Sequence, residues 1–455
     1  MFEFLTDKKI AIIGTGVSHH DLIKKFLSIG YDITIFDKRS NPDDFSEYIK
    51  LGAKLSIGEN YLDSLENYDI IFRTPGMYFN HPALKKARDN GKTVTSELEV
   101  FFKLNRAQTF AVTGSDGKTT TTNIIAKILE TENKKVHLGG NLGRALLPII
   151  DDIRDTDNVV AELSSFQLMS MRTPFDTTVI TNITPNHLDV HGEMGEYIDC
   201  KKQIFLHQDA FSRTILSADN EIVNRFSEEI RGKLIKFSIK EKPMPFGAFL
   251  REDGILCYNN NGEIVEYLHM EDIKIRGIHN VENYLAAIAA TFDFVSPKSV
   301  CEVAKTFNGV EHRIEFVREI DGVKYYNDSI ATSPTRVIAG LKAFGRKIII
   351  ISGGYDKKIP YEPLGEPVNK YVKCLVTLGA TAEKIENAVK NSDYYNAENI
   401  KILRTENLEE AVKTARKNAV SGDIISLSPA SASFDLYKNF EERGKHFKNI
   451  VNALK

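Results

Sequence analysis

The sequence has few cysteines, no long apolar run and no block of basic residues. Its four cysteines, at positions 200, 257, 301 and 374, are far apart and form no C-x-x-C pair, so neither a disulfide framework nor a zinc site is predicted. No apolar stretch approaches membrane-spanning length. The start, MFEFLTDKKIAIIGTG, has an acid at position 3 and too short an apolar run for a signal peptide. The expected location is the cytoplasm, with no membrane partner.

Positive charge is not in excess either, because 59 basic residues face 62 acidic ones. This balance lacks the electrostatic footprint of a nucleic-acid-binding protein, so no nucleic-acid partner is predicted. A content of 42% hydrophobic and 27% charged residues is typical of a globular protein. The 455 residues are too many for a single core, and the usual domain size predicts about three domains.

Three apolar runs that end in glycine divide the chain, at 8–18, 109–115 and 346–358. The third is followed by further strand-like runs at 374–379 and 423–431, with helical stretches such as AEKIENAVK and NLEEAVKTARKNAV between them. Alternating strands and helices predict an α/β fold with parallel sheets. We expect Rossmann-like first and third domains around a central P-loop ATPase-type domain, with boundaries at 1–97, 98–308 and 309–455.

The first run, KKIAIIGTGVS, ends in a glycine turn suited to phosphates. Its dinucleotide-binding pattern is broken, because His19 occupies the third glycine position. Asp37 ends the next strand at the distance expected for a nicotinamide cofactor, which leaves an oxidoreductase as an alternative. Lys38 and Arg39 follow at once and favour an anionic ligand equally well.

The second run leads into AVTGSDGKTTTTN at 111–123, which resembles a phosphate-binding loop but has Val112 where the first glycine should stand. Gly114 and Gly117 still permit close backbone approach to a ligand. Backbone N–H groups at the start of the following helix attract phosphate, Lys118 adds a positive charge, and Thr119 or Thr120 offers a hydroxyl to Mg²⁺. A nucleotide site is therefore predicted.

Polar residues end two further strands of the middle segment. Glu162 ends the strand in VVAELSSFQL, and His187 lies in VITNITPNHLDVHG. Beside a phosphate loop, these side chains are candidate ligands for Mg²⁺ at one crevice. The Asn-Lys-x-Asp element of a GTPase is missing from the sequence, which argues against a molecular switch.

Taken together and in order, the motifs of the chain resemble those of the Mur ligase family. The matching stretches are TGSDGKTTT, GGNLG, ELSSFQL, TNITPNHLDVHG, YIDCKKQIF, GIHNVENYLAAIAA, EHRIEFV, NDSIATSPT, GGYDKK and LSPASASFDLYKNFEERG, with GTGVS and RTPGM near the start. ELSSFQL together with LSPASASFDLYKNFEERG indicates the D-glutamate-adding branch. The resemblance implies a monomeric, ATP-dependent amide ligase that joins D-glutamate to UDP-MurNAc-L-alanine through an acyl phosphate, with Mg²⁺, in two ions, or Mn²⁺ as the metal.

The resemblance also implies roles for matched residues. The uridine nucleotide would contact Gly14, Thr15, Gly16, Val17, Ser18, Asp37, Lys38, Arg39, Thr74, Pro75 and Gly76. ATP would contact Gly114, Ser115, Asp116, Gly117, Lys118, Thr119 and Thr120, with Asn280, Asn283, Arg313 and Asp328 around the adenosine portion and the domain junction. The metal ligands would be Thr119, Glu162, His187 and a carbamylated Lys201; Lys118, Lys201, His187 and Glu162 would be catalytic. Asn141 and Ser164 would line the muramoyl group, and Thr332, Lys357, Ser433, Phe434 and Phe440 the D-glutamate pocket.

Two positions depart from the family pattern: Ile330 stands where many relatives have lysine, and Tyr355 where some have aspartate. Both bear on amino-acid contacts and leave the expected reaction unchanged. Three alternatives stay open. The first is a sibling ligase, which could be the L-alanine-adding enzyme, the diamino-acid-adding enzyme or a folate polyglutamylase. The second is the nicotinamide oxidoreductase, and the third is a nucleotide-binding regulator without catalysis.

Overall fold

The computed structural model describes residues 2–142, 145–184, 193–240, 244–356 and 359–454. The chain folds into two compact units, Met1–Phe307 and Asn308–Lys455. Among the described residues, no helix combines the length and apolarity needed to cross a membrane.

The first unit begins with a parallel sheet in the strand order β3-β2-β1-β4-β5. Its elements are β1 Ile10–Ile13, α1 Val17–Ile29, β2 Ile33–Asp37, α2 Ser46–Lys50, β3 Lys54–Ile57, β4 Ile70–Phe72, α3 Pro82–Asp89, β5 Thr93–Thr95 and α4 Glu97–Leu104. The order reverses direction between β1 and β4. In such sheets a ligand crevice lies outside the carboxyl ends of the strands at this point.

The second sheet of this unit has the order β14-β13-β12-β11-β10-β9-β6-β8-β7, parallel from β7 to β12 and antiparallel from β12 to β14. Its elements are β6 Gln108–Thr113, α5 Lys118–Thr131, β7 Val136–Gly140, β8 Asn158–Glu162, α6 Ser165–Leu168, β9 Thr177–Ile180, α7 Met194–Leu206, β10 Arg213–Ser217, α8 Glu221–Arg225, β11 Lys233–Ser238, β12 Phe246–Leu250, β13 Ile255–Asn260, β14 Glu263–His269, α9 Ile278–Thr291 and α10 Pro297–Thr306.

The second unit contains one sheet in the order β15-β16-β20-β17-β18-β19, parallel except for the β15–β16 pair. Its elements are β15 Glu315–Ile320, β16 Val323–Asn327, α11 Pro334–Phe344, β17 Ile348–Gly353, α12 Gly365–Tyr371, β18 Val372–Leu378, α13 Ala382–Lys390, β19 Lys401–Arg404, α14 Leu408–Lys417, β20 Ile424–Leu427 and α15 Phe440–Ala453.

The central strands β6 and β8 are buried along almost their whole length, because helices cover both faces of their sheet. On one face, α5 and α9 pack against each other and bury apolar side chains such as Ile125, Leu129, Tyr284 and Ile288. Burial on both faces explains why these strands read as continuous apolar runs and not as alternating ones. Parallel pairing of β6 with both β8 and β9 brings the carboxyl ends of the three strands to one edge of the sheet.

The three sheets, which are mostly parallel and whose strands alternate with helices along the chain, confirm the predicted α/β fold class. The helix expected from Lys118 to Glu130 is α5, Lys118–Thr131, and AEKIENAVK forms α13 over its full length. The observed strands β1 and β6 end before the glycines that close the first two runs, whereas β17 includes Gly353 of the third. The proposed boundary after residue 97 falls at the start of α4, where Leu98, Phe101 and Phe102 enter a core shared by both sheets of the first unit.

Candidate active site

The loop between β6 and α5 has the backbone of a ligand-binding turn. Gly114 and Gly117 have φ angles of 150° and 79°, a region that favours glycine. A Cβ on Gly114 would collide with Thr181 Oγ1, and one on Gly117 would lie 2.5 Å from Asn283 Oδ1. Both glycines are therefore required by space as well as by conformation, whereas Val112 lies before the loop, inside the buried strand β6.

The segment after β9 holds this loop in place. Ser115 N donates to Asn182 O at 2.8 Å, and Asp116 N donates to Asn182 Oδ1 at 2.9 Å. Thr181 Oγ1 donates to Asp116 O at 2.6 Å, while Ser115 Oγ donates to Thr184 O at 3.0 Å. Asn182 and Thr181 were not among the predicted site residues. Their signal was their position directly after a strand that neighbours β6.

Lys118 begins α5 and turns back over the loop. Its Nζ donates to Gly114 O and Ser115 O, each at 2.8 Å. The ammonium group is thus held against the backbone carbonyls of the loop. An anionic ligand that receives backbone N–H groups at the start of α5 would meet this charge at the same place.

Buried Thr119 on α5 and buried Glu162 at the end of β8 form a polar cluster with the exposed Asn141, which follows β7. Thr119 Oγ1 donates to Glu162 Oε2 at 2.7 Å, and Asn141 Nδ2 donates to Glu162 Oε1 at 2.8 Å. Glu162 is only 2% exposed. Hydroxyl, carboxylate and amide oxygens are the donors that Mg²⁺ prefers, so this set fits the metal that the sequence predicted.

Lys201 reaches the other side of the loop from α7. Its side chain is 1% exposed, and its Nζ donates to Gly114 O at 2.7 Å and lies 4.7 Å from the centre of the Tyr197 ring. Burial, followed by the charge of Lys118, lowers the pKa of Lys201 well below its usual range. The neighbouring Lys202 instead pairs with Glu229 near the surface. The structure thus distinguishes the two lysines of YIDCKKQIF.

Asn283 on α9 connects the loop to the rest of the first unit. Thr121 Oγ1 donates to Asn283 Oδ1 at 3.1 Å, and Asn283 Nδ2 donates to Asn280 Oδ1 at 3.2 Å. Asn283 is buried, whereas Asn280 is half-buried near the start of the helix. Both predicted asparagines therefore lie beside the phosphate-loop helix, while Thr120 is half-buried on it.

The amino-terminal glycine turn carries a second group of predicted residues. Gly14 has a φ of 78°, and Gly16 caps α1. Arg39 Nη2 donates to Thr15 Oγ1 at 2.6 Å and pairs with Asp37 at 2.7 Å. Desolvation raises the pKa of Asp37, but hydrogen bonds and charge from Arg39 outweigh it and leave that pKa below its ordinary value. Lys38 and Val17 are exposed, and Thr74, Pro75 and Gly76 follow β4.

A cavity of about 160 Å³ joins the two groups within the first unit. Its lining includes Val17, Ser18 and Pro75 from the amino-terminal sheet, and Asn141 and Gln167 from the central sheet. Residues predicted separately for the nucleotide and muramoyl parts of one substrate thus share a cavity. Ser164 is half-buried and does not line it; its hydroxyl forms a capping box with Gln167 at the start of α6.

His19 and Arg73 also line this cavity, and the motifs had not marked either as a site residue. His19 Nδ1 lies 3.0 Å from Ile13 O, while Nε2 is buried without a partner among the described residues. Burial lowers the pKa of His19 to about 4, so the ring is neutral at pH 7. Arg73 Nη2 donates to Phe166 O at 3.0 Å, and Nε is likewise buried without a described partner. These orphaned polar atoms are a signal that only tertiary structure provides.

In the second unit, the predicted residues lie beyond the carboxyl ends of β16 and β20. Ser433 is buried, Thr332 and Phe440 are half-buried, and Phe434 is 62% exposed with its ring 6.0 Å from that of Tyr355. The pocket predicted from the sequence therefore has a buried hydroxyl and an exposed aromatic edge.

Arg313 and Asp328 also belong to the second unit. Asp328 accepts from Ile314 N at 3.1 Å, and burial raises its pKa to about 7. Arg313 is exposed between His312 and Ile314, whose φ angles of 66° and 45° are left-handed. A β-branched residue in this conformation is strained, and such strain is concentrated at functional segments.

Two predicted residues, His187 and Lys357, lie outside the described residues. Their roles as metal ligand and amino-acid contact stay predictions.

Family models match three successive parts of the chain. The Mur ligase MurD-like, N-terminal domain matches residues 8–96, the Mur ligase middle domain 112–291, and the Mur ligase, glutamate ligase domain 312–431.

The chain is 50% identical over 455 residues to a UDP-N-acetylmuramoylalanine--D-glutamate ligase of Acetivibrio thermocellus, covering 99% of this chain and 97% of the relative. It is also 50% identical to the ligase of the same name from Ruminiclostridium cellulolyticum, with the same coverage of each chain.

Solved structures share the fold at low identity. The UDP-N-acetylmuramate-alanine ligase MurC of Thermotoga maritima has a TM-score of 0.59 at 18% identity, covering 98% of this chain and all of that one. A pseudomurein peptide ligase type C from Methanothermus fervidus has a TM-score of 0.55 at 22% identity, covering 99% and 100%. Because full-length relatives at half identity and three consecutive domain models agree with the motif order and with the loop geometry, the chain belongs to the Mur ligase family.

Proposed function

We propose that the protein is the ATP-dependent ligase that joins D-glutamate to UDP-N-acetylmuramoyl-L-alanine during synthesis of peptidoglycan precursors. One observation carries the proposal: ligases named for this reaction are 50% identical to the chain over 99% of its length. ELSSFQL, one of the two stretches that together indicate the D-glutamate-adding branch, coincides with the end of β8 and with α6, where Glu162 joins the polar cluster beside the phosphate loop.

The reaction needs ATP because a carboxylate is a poor electrophile. Transfer of the γ-phosphoryl group to the carboxylate of the L-alanyl substrate forms an acyl phosphate and releases ADP. The neutral amine of D-glutamate then attacks the carbonyl carbon, phosphate leaves with the bonding electron pair, and the new amide loses one proton. Both steps place negative charge on phosphoryl oxygens, so positioned positive groups lower the barriers.

The phosphate loop supplies those groups. The start of α5 presents backbone N–H groups to the ATP phosphates, and Lys118 adds an ammonium group. Gly114 and Gly117 let the backbone approach closely, since a side chain at either position would meet Thr181 or Asn283. Asn280 and Asn283 would contact the adenosine portion, and Arg313 and Asp328 complete the predicted nucleotide contacts.

Thr119 and Glu162 would hold Mg²⁺, with Mn²⁺ as a substitute, and the family pattern adds His187 and a second ion. The buried pair of oxygen donors supports this assignment. When bound, the metal offsets charge on the transferring phosphoryl group. Asn141 keeps the Glu162 carboxylate oriented through its 2.8 Å hydrogen bond.

Lys201 would become a ligand by carbamylation. The neutral Nζ attacks CO₂, an N–C bond forms, and one proton is released, leaving an anionic carbamate. Its buried position beside Gly114 O supports this role, because an unmodified ammonium would repel both the metal and Lys118.

The UDP substrate would bind the amino-terminal glycine turn and extend through the cavity towards Asn141. The two orphaned nitrogens of His19 and Arg73 support an occupant with hydrogen-bonding oxygens there. D-Glutamate would bind the second unit at Thr332, Lys357, Ser433, Phe434 and Phe440. Lys357 and Ser433 would carry more of the carboxylate recognition than in relatives that have lysine at position 330.

The test measures phosphate release from ATP with and without UDP-MurNAc-L-alanine, for D-glutamate, L-alanine, a diamino acid and folate with L-glutamate. Release that requires both the UDP substrate and D-glutamate is expected. A different amino-acid requirement would assign a sibling ligase, bound NAD would assign an oxidoreductase, and the absence of substrate-dependent release would assign a regulator. We further propose a cytoplasmic monomer, and size-exclusion chromatography with light scattering tests its mass.

A further inference from the structure

A buried arginine lies behind the carboxyl edge of the sheet in the second unit. Arg443 is in the first turn of α15 and is 4% exposed. Its Nε donates to Ser329 Oγ at 3.1 Å, and its Nη2 donates to Ser329 O at 3.0 Å and Ser431 O at 3.1 Å. Its Nη1 donates to Ala432 O at 2.9 Å. All four acceptors are neutral.

These contacts tie together the ends of three neighbouring strands. In the sheet, β16, β20 and β17 are adjacent and parallel. Ser329 follows β16, and Ser431 and Ala432 follow β20. Ala432 O also accepts from Tyr355 N, which follows β17, at 3.0 Å. A Cβ on Gly354 would lie 3.1 Å from Arg443 Nη1. The guanidinium is therefore enclosed by three loops at the edge where α/β sheets bind ligands.

The charge of Arg443 has no counter-ion within ion-pair distance among the residues that the structure describes. Burial lowers its pKa to about 10, while the charges of Asp435 and Tyr437 act in the opposite direction. A buried guanidinium without a carboxylate costs free energy that an apolar side chain of similar size would not. The positive charge of Arg443 is therefore held by neutral oxygens of the loops and acts directly on the peptide groups that it contacts.

The peptide units between Arg443 and the edge can transmit its effect. Since the described residues contain no cis peptide bond, the N–H of Ser433 points away from the carbonyl of Ala432 and hence from the guanidinium. A charged donor on that carbonyl polarises the peptide and makes the N–H on its far side a stronger donor. Ser433 is the buried serine of the predicted amino-acid pocket.

We propose that Arg443 is a positioning residue of the amino-acid pocket, which aligns the three loops and strengthens the backbone donors that receive the carboxylate of the amino acid. The inference rests on the proposed function. Many relatives have a lysine at position 330, and Ile330 carries no charge. Arg443 supplies a positive charge to the same pocket through the backbone carbonyls that it contacts. A fixed charge and fixed loops should improve binding of the anionic amino acid and leave ATP and the UDP substrate unaffected.

The experiment compares KM and kcat for D-glutamate, ATP and UDP-MurNAc-L-alanine in the wild-type enzyme, Arg443→Lys and Arg443→Gln. Lysine keeps the charge but not the four-contact fork, whereas glutamine loses both. We expect KM for D-glutamate to rise about tenfold in Arg443→Lys and about a hundredfold in Arg443→Gln, with the other two KM values within about twofold. The matched control is Arg404→Lys, an exposed arginine of the same unit that pairs with Glu386 at 2.8 Å; it should change nothing.

A merely structural arginine would raise all three KM values together, or lower kcat and thermal stability without a selective effect on D-glutamate; either result overturns the proposal. If Arg443→Gln does not fold, Arg443→Lys and Ser329→Ala carry the test, since Ser329→Ala removes one acceptor and keeps the charge. A wild-type enzyme that uses another amino acid refutes the D-glutamate assignment alone, and the KM for that amino acid then tests Arg443. Absence of any amino-acid-dependent phosphate release refutes both.

Discussion

Replacing Glu97 by glutamine should stabilise the protein at alkaline pH. Glu97 begins α4 and is 3% exposed, and its Oε1 accepts from Leu146 N at 2.7 Å and Leu147 N at 2.6 Å. Burial raises its pKa to about 7, and the two N–H groups only partly offset this rise. The side chain therefore holds the backbone of Leu146 and Leu147 most favourably in its protonated form.

The magnitude follows from linkage. The folded pKa of about 7 lies above the ordinary value of 4.5, so the folded protein binds the proton more tightly than the unfolded chain. The stabilisation that protonated Glu97 gives is complete below pH 4.5 and is lost as the pH rises through 7. The loss lowers the free energy of unfolding by roughly 3 kcal/mol. The amide oxygen of glutamine can accept both N–H groups without ionising. Glu97→Gln should therefore gain about 3 kcal/mol over wild type at pH 8 and less than about 1 kcal/mol at pH 5.

Urea denaturation at pH 5 and pH 8, followed by circular dichroism, measures this difference in the transition of the first unit. The control is Glu130→Gln, an exposed glutamate on α5 that pairs with Lys127 at the surface. It should show no gain that appears only at pH 8. Equal or lower stability of Glu97→Gln at pH 8 than at pH 5, each relative to wild type, would refute the reasoning.

Three further predictions concern lysines of the proposed site. Lys118→Ala should abolish ligation while calorimetry still detects the UDP substrate, because its ammonium acts on phosphoryl oxygens and is worth several kcal/mol at a transition state; an active variant would reject the loop assignment. Lys201→Ala should be nearly inactive and regain partial phosphate release with short-chain carboxylates, whereas full wild-type activity in CO₂-free buffer, with unmodified Lys201 by mass spectrometry, would count against the carbamate. Lys357→Ala should lower kcat/KM for D-glutamate about ten- to a hundredfold and leave the KM for ATP unchanged, and steady-state kinetics that show no change would place the pocket elsewhere.

The phosphate loop and its helix were readable from the sequence because their determinants are local. Glycines that require positive φ, a lysine at the start of a helix and an apolar strand before them lie within a dozen residues. The same holds for α13, which coincides with the helical stretch AEKIENAVK named from the sequence. The D-glutamate branch was also readable, since it depends on an ordered set of motifs and not on their distances in space.

Strand and domain ends were less accurate, because they depend on partners elsewhere in the chain. The run 109–115 extends beyond the end of β6 at Thr113, since Gly114 turns to clear Thr181. Likewise, α4 joins a core shared by two sheets, which its own sequence does not reveal.

The sequence by itself determined the fold class, the family and the residue types of the site, because these follow from local patterns and their order. Only the tertiary structure decided which groups meet. It placed Lys201 under the loop and paired Lys202 with Glu229, left one nitrogen each of the cavity-lining His19 and Arg73 without a described partner, and buried Arg443 among neutral carbonyls. The physical reason is that desolvation, orphaned hydrogen-bonding groups and uncompensated charge are properties of a packed environment, to which residues distant in the chain contribute.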